Sequence, residues 1–81
     1  MKKVAVLGAN GYIARNLVYI LNRDYPEYEI TLYGIEDKSV DGQENYIQVD
    51  MTNKSEISKI SLDCDIIFMF VLYFGPYAKN I

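Results

Sequence analysis

The chain contains no histidine and one cysteine, Cys64, in its 81 residues. Without histidine it lacks the side chain that most often moves protons near neutral pH and most often binds zinc. One cysteine can form neither an intrachain disulfide nor a cysteine-rich metal site. Serine-triad hydrolysis and zinc chemistry are thereby excluded, and no metal is expected. Basic residues are also in the minority, 8 Lys and Arg against 11 Asp and Glu, for a formal net charge of −3. No stretch concentrates the cations, so the electrostatic footprint of a nucleic-acid binder is missing. The apolar run Ile66–Phe74 is about half of the roughly 20 residues that span a bilayer, and no cleavage signature follows Lys2-Lys3. Neither a membrane partner nor an export signal is expected, and the location read from the sequence is cytoplasmic. Internal repeats and low-complexity tracts are absent as well.

What is there suits a folded domain. Hydrophobic residues make up 51% and aromatics 14%, far from the composition of disordered chains. The length allows a single domain, residues 1–81, burying only about 60–65% of the surface exposed on unfolding. Lys3–Leu7 is short, nearly all apolar and stopped by Gly8, as a strand buried on both sides of a parallel sheet would be. From Tyr12 to Arg23, Ile13, Leu17, Val18, Ile20 and Leu21 recur at helical spacing, while Arg15, Asn16, Asn22 and Arg23 take the other side. Glu29–Tyr33 reads as a second strand ended by Gly34, and Ser39–Asn45, with its Asp41-Gly42 turn, as a surface loop. Tyr46–Val49 is a third strand, Thr52 or Asn53 caps a short helix, and Asp65–Phe74 is a central buried strand closed by Gly75-Pro76. This order predicts an α/β fold, a parallel sheet of about four strands with right-handed crossover helices, close to one mononucleotide-binding half of a doubly wound domain.

The chemistry lies in Gly8-Ala9-Asn10-Gly11-Tyr12-Ile13-Ala14, which follows a predicted strand and opens a predicted helix. Gly8 permits a tight turn, Gly11 lets backbone N–H groups approach a pyrophosphate, and the small Ala14 lets helix and strand pack closely. The helix start offers free N–H groups and the positive end of the macrodipole to an anion. A Walker phosphate loop would require Gly-Lys-Ser or Gly-Lys-Thr, and Gly11 is followed by Tyr12 and Ile13 instead, so a nucleoside-triphosphatase is not supported.

The stretch Val4–Ala14 resembles the N-terminus of the extended short-chain dehydrogenases/reductases, the NAD-dependent epimerase/dehydratase family, in its Gly-x-x-Gly-x-x-Ala spacing and its Tyr12-Ile13 pair. The resemblance covers nearly the whole chain and implies an NAD(P)-binding Rossmann-like half domain. It implies that Gly8, Asn10, Gly11, Tyr12 and Ile13 contact the dinucleotide and that Asp50 and Met51 form the acidic-apolar pair beside adenine. It also implies that Asp65–Leu72 is the fourth strand, whose end lines the ribose and nicotinamide side; with that strand central, Phe70 and Val71 near its carboxyl end would border the dinucleotide crevice.

Two departures from the family pattern matter. The acid that ends the second strand and binds the adenosine ribose would fall at Gly34, which leaves Glu36 or Asp37 to take its place. Either carboxylate favours NAD, whereas Lys38 beside them would meet a 2′-phosphate, so NADP stays open. The family's Tyr-x-x-x-Lys pair is also missing, since none of the eight tyrosines has Lys four residues on. No catalytic residue is therefore assigned. The expectation is a truncated, cofactor-binding N-terminal part of an epimerase, dehydratase or reductase-like protein, inactive alone. The alternative is a non-enzymatic redox-sensing or interaction module. An uncovered apolar edge predicts a homo-oligomer, by exchange of Gly75–Ile81. Cys64, between Asp63 and Asp65, reads as a small buried residue rather than a reactive thiolate.

Overall fold

In the computed structural model, which describes residues 2–70, the run Lys3–Leu7 forms strand β1 and is buried from Val4 onward. Helix α1 follows over Tyr12–Asp24, then strand β2 over Glu29–Gly34 and strand β3 over Tyr46–Gln48. A four-residue helix, α2 (Lys54–Ile57), leads to strand β4 (Ile66–Met69). The strands form one sheet in the order β3-β2-β1-β4, and every neighbouring pair is parallel. The fold is α/β. From β1 the chain adds β2 and β3 on one side, then returns to place β4 on the other. Strand order therefore reverses beside β1, where open sheets of this kind have a crevice at their carboxyl ends.

Alternation along β1 and β2 divides the core in two. Val4, Val6, Ile30 and Leu32 face α1 and pack with Ala9, Ala14, Val18 and Leu21. Ala5, Leu7, Tyr33 and Val49 face the other way, beneath Met51, Ile60 and Cys64. The Ser61 N–H donates to the Tyr33 hydroxyl at 3.2 Å, which ties the segment after α2 to the sheet. Ala14 is fully buried at the start of α1, where a longer side chain would force helix and strand apart.

The structure corrects several expectations. β4 is not central: β1 takes that place, and β4 is an outer strand of the described sheet, with Ile67 and Met69 exposed. Its ladder runs only from Ile66 to Met69, and the remainder of the expected strand, with Gly75-Pro76 and the exchanging segment, lies outside the described residues. On α1, Ile13 and Ile20 are exposed. The buried stripe is centred on Ala14, Val18 and Leu21, and at about 100° per residue Ile13 and Ile20 fall roughly a quarter-turn or more to its side. Of the two expected caps of α2, Asn53 is the one used, its Oδ1 accepting the Ser55 N–H at 3.0 Å. Cys64 is half-buried rather than buried. β2 runs through Gly34, and β3 stops at Gln48, one residue short of the fully buried Val49.

Candidate functional site

The glycine turn between β1 and α1 is built from backbone contacts. Gly8 has φ +82°, a left-handed conformation that side chains resist. The N–H groups of Gly8 and Ala9 both donate to the Tyr33 carbonyl, at 2.8 and 3.1 Å, which locks the turn onto the end of β2. Gly11 differs. Its φ of −70° and ψ of 157° suit any residue, and a Cβ there would lie 3.5 Å from the Gly8 carbonyl oxygen, an ordinary contact. The fold does not require glycine at 11.

Gly11 is also the N-cap of α1, and no side chain caps this helix or adds an acidic charge to its first turn. The Arg15 N–H reaches the Gly11 carbonyl at 2.9 Å as the first helical bond. The N–H groups of Tyr12, Ile13 and Ala14 are thus left to an outside acceptor, at the positive end of the helix dipole.

Three loops meet in front of this turn around a cavity of about 310 Å³. Gly8, Asn10 and Gly11 line it from the end of β1, Gly34, Ile35 and Glu36 from the end of β2, and Val49, Asp50, Met51 and Thr52 from beyond β3. The volume is at the lower end of the range for small-molecule sites, roughly 300–1,000 Å³. Its wall combines an apolar part, Ile35, Val49 and Met51, with the carboxylates of Glu36 and Asp50 and the bare backbone of the glycine turn.

The carboxylates are held, not loose. Asp50 Oδ1 accepts the Thr52 hydroxyl at 2.6 Å and the Thr52 N–H at 3.0 Å. The hydroxyl bond, then the N–H, keeps the Asp50 pKa below the ordinary aspartate range. Glu36 Oε1 accepts from Asn10 Nδ2 at 3.0 Å. Beside it the Tyr46 hydroxyl donates to the Glu36 carbonyl at 2.9 Å. Burial, followed by the charge of Glu36, pushes the Tyr46 phenol above its usual pKa, so it stays a neutral donor. Past this loop, Arg15 grips Asp41 with two bonds, Nε to Oδ2 at 3.0 Å and Nη2 to Oδ1 at 2.8 Å. The bond to Arg15 holds the Asp41 pKa down.

Of the residues named from sequence, Gly8, Asn10, Gly11, Glu36, Asp50 and Met51 come together in the cavity wall. Tyr12 and Ile13 do not line it; both side chains are exposed, because the inward stripe of α1 starts only at Ala14, and what they bring to the turn is backbone N–H. Asp37 is exposed on the loop and does not line the cavity either. Phe70 packs against the core on the α1 side, its N–H donating to the Leu7 carbonyl at 2.9 Å. Val71 lies outside the described residues. Sequence reasoning missed Ile35, Val49, Thr52 and Tyr46. The Asp50-x-Thr52 pattern of an Asx turn was a readable sign for Thr52, whereas nothing local marks Tyr46, which acts across ten residues.

Among the described residues, no group of His, Cys, Asp or Glu is placed to hold a metal ion, and no helix is long and apolar enough to cross a membrane. No protein-family model, curated protein or solved structure matches this chain.

Proposed function

We propose that the chain is a Rossmann-like dinucleotide-binding half domain of the extended short-chain dehydrogenase/reductase kind, the cofactor-binding part of an epimerase, dehydratase or reductase-like protein. It binds NAD, with NADP the competing cofactor, at the carboxyl ends of β1, β2 and β3. One observation carries the reading: Gly8, Asn10, Gly11, Glu36, Asp50 and Met51, chosen from motif and resemblance, line a single cavity. The strand order β3-β2-β1-β4 supports it, running 3-2-1 like one mononucleotide-binding half of a doubly wound sheet, with a fourth strand across the reversal beside β1.

The residues fit the group by their chemistry. At Gly11 the fold admits a side chain and the sequence supplies none, which keeps the start of α1 open to a pyrophosphate. Glu36 accepts ribose hydroxyls, and Ile35 and Met51 offer apolar contact to adenine beside Asp50. A bound dinucleotide supplies hydride-transfer chemistry; the residues of this chain bind and orient it. No tyrosine is followed by lysine four residues on, so binding rather than turnover is proposed for them. The exposed Ile67 and Met69 of β4 are the surface that a second copy would cover in the homo-oligomer proposed with this function.

Calorimetric titration of the folded chain with NAD, NADH, NADP and NADPH tests the reading. Saturable binding is expected, and Gly11→Asp should abolish it, because a carboxylate there occupies and repels the pyrophosphate position while leaving an allowed backbone. A folded wild-type chain that binds none of the four overturns the proposal.

A further inference from the structure

Position 34 cannot carry a side chain without displacing Tyr46. A Cβ built there meets the Tyr46 Oη, and the ring carbons Cε2 and Cζ stand at 3.1 Å. β2 therefore ends bare, and the carboxylate in the cavity wall beyond it belongs to Glu36, an exposed residue past the strand. A glutamate in such a place has several free torsions and no position of its own. Two other side chains give it one.

Asn10 Nδ2 donates to Glu36 Oε1 at 3.0 Å and to the Lys38 carbonyl at 3.0 Å, while its Oδ1 accepts the Val40 N–H at 2.9 Å. One amide in the glycine turn thus spans the loop from Glu36 to Val40. Tyr46 Oη donates to the Glu36 carbonyl at 2.9 Å and lies 3.5 Å from Oε1. The tyrosine that denies position 34 a side chain also holds the residue that stands in for it. Among the described residues, Glu36 Oε2 accepts no hydrogen bond and the Lys38 ammonium forms no ion pair, so one free acceptor and one free cation sit on the same loop.

Resting on the dinucleotide reading, we infer that Asn10 and Tyr46 are positioning residues. They aim the Glu36 carboxylate at the cavity and so make the site select a dinucleotide with a free adenosine 2′-hydroxyl over one carrying a 2′-phosphate. A held carboxylate accepts from the ribose hydroxyls through Oε2 and repels a phosphate dianion at the same point. Freed from the clamp, Glu36 swings into solvent, the repulsion fades, and Lys38 competes for the phosphate.

The test is the ratio of NADPH to NADH dissociation constants, measured by fluorescence titration on the wild type, Asn10→Ala, Tyr46→Phe, Glu36→Gln and the two double variants with Glu36→Gln. Any loss of folded protein scales both affinities alike and leaves the ratio unchanged. Wild type should prefer NADH. Asn10→Ala should cut that preference about tenfold, the scale of one hydrogen bond to a charged group, and Tyr46→Phe should cut it less. With Glu36→Gln in place, neither further change should move the ratio. Equal weakening of both cofactors by Asn10→Ala, a ratio shift that persists without the Glu36 charge, or a wild type that prefers NADPH would overturn the inference and leave the dinucleotide reading standing. A wild type that binds neither overturns both.

Discussion

At the scale of single residues, glycines in one site do three different jobs. Gly8 is demanded by backbone conformation, Gly34 by a neighbour's side chain, and Gly11 by nothing in the fold. The first two are tests of stability. Gly34→Ala should destabilise the chain by about 1–3 kcal/mol, the usual cost of overpacking, because the new methyl group meets the Tyr46 phenol. Adding Tyr46→Phe removes the closest atom and should restore part of the loss in urea denaturation; no recovery would mean that the clash lies with the ring carbons. The motif glycines and Asn10 were legible in the sequence because a strand, a turn and a helix start follow one another within a few residues. Gly34 was legible only as a stop, since its reason lies in Tyr46, a residue brought there by strand pairing rather than by chain proximity. That Glu36 and not Asp37 lines the cavity was illegible for the same reason, since Glu36 is held there by Asn10 across 26 positions.

Among the elements, α1 carries the clearest contrast between pattern and burial. Its sequence shows apolar residues over more than one face, and it is the stripe through Ala14, Val18 and Leu21, with Leu17 partly buried beside it, that packs into the core. Leu21→Ala should therefore cost about 2–5 kcal/mol, a large share of the roughly 4–12 kcal/mol available to a domain of this length. Ile20→Ala, at 42% exposure, should stay within about 0.5 kcal/mol of wild type. Thermal or urea unfolding of the two variants side by side checks the pair, and similar losses would place Ile20 inside a contact. β1, α1 and β2 were readable to within a residue because their signals are local and strong. β4 was misread as central because apolar composition reports burial and says nothing of which strand lies between which.

For the molecule as a whole, the strand order means that β1 holds both halves of the sheet together and is tied to each by different residues. The Lys2 carbonyl accepts from Glu29, and the Gly8 N–H donates to Tyr33, both on β2; the Lys3 and Leu7 carbonyls accept from Asp65 and Phe70, at the ends of β4. Even-numbered residues thus serve β2 and odd-numbered ones β4, as alternate residues of a parallel strand must. The two ladders are not equally secure. Val4 pairs with Ile30, 26 residues on, and with Ile66, 62 residues on, so closing the second costs about 0.8 kcal/mol more in chain entropy. β4 should detach while β1 and β2 remain paired. Read by amide hydrogen exchange, neighbouring residues of one strand would then report separate events: Ala5 and Leu7 losing protection when β4 leaves, Val4 and Val6 only when the domain opens as a whole. Uniform protection along Val4–Leu7 would show instead that the sheet opens in a single step.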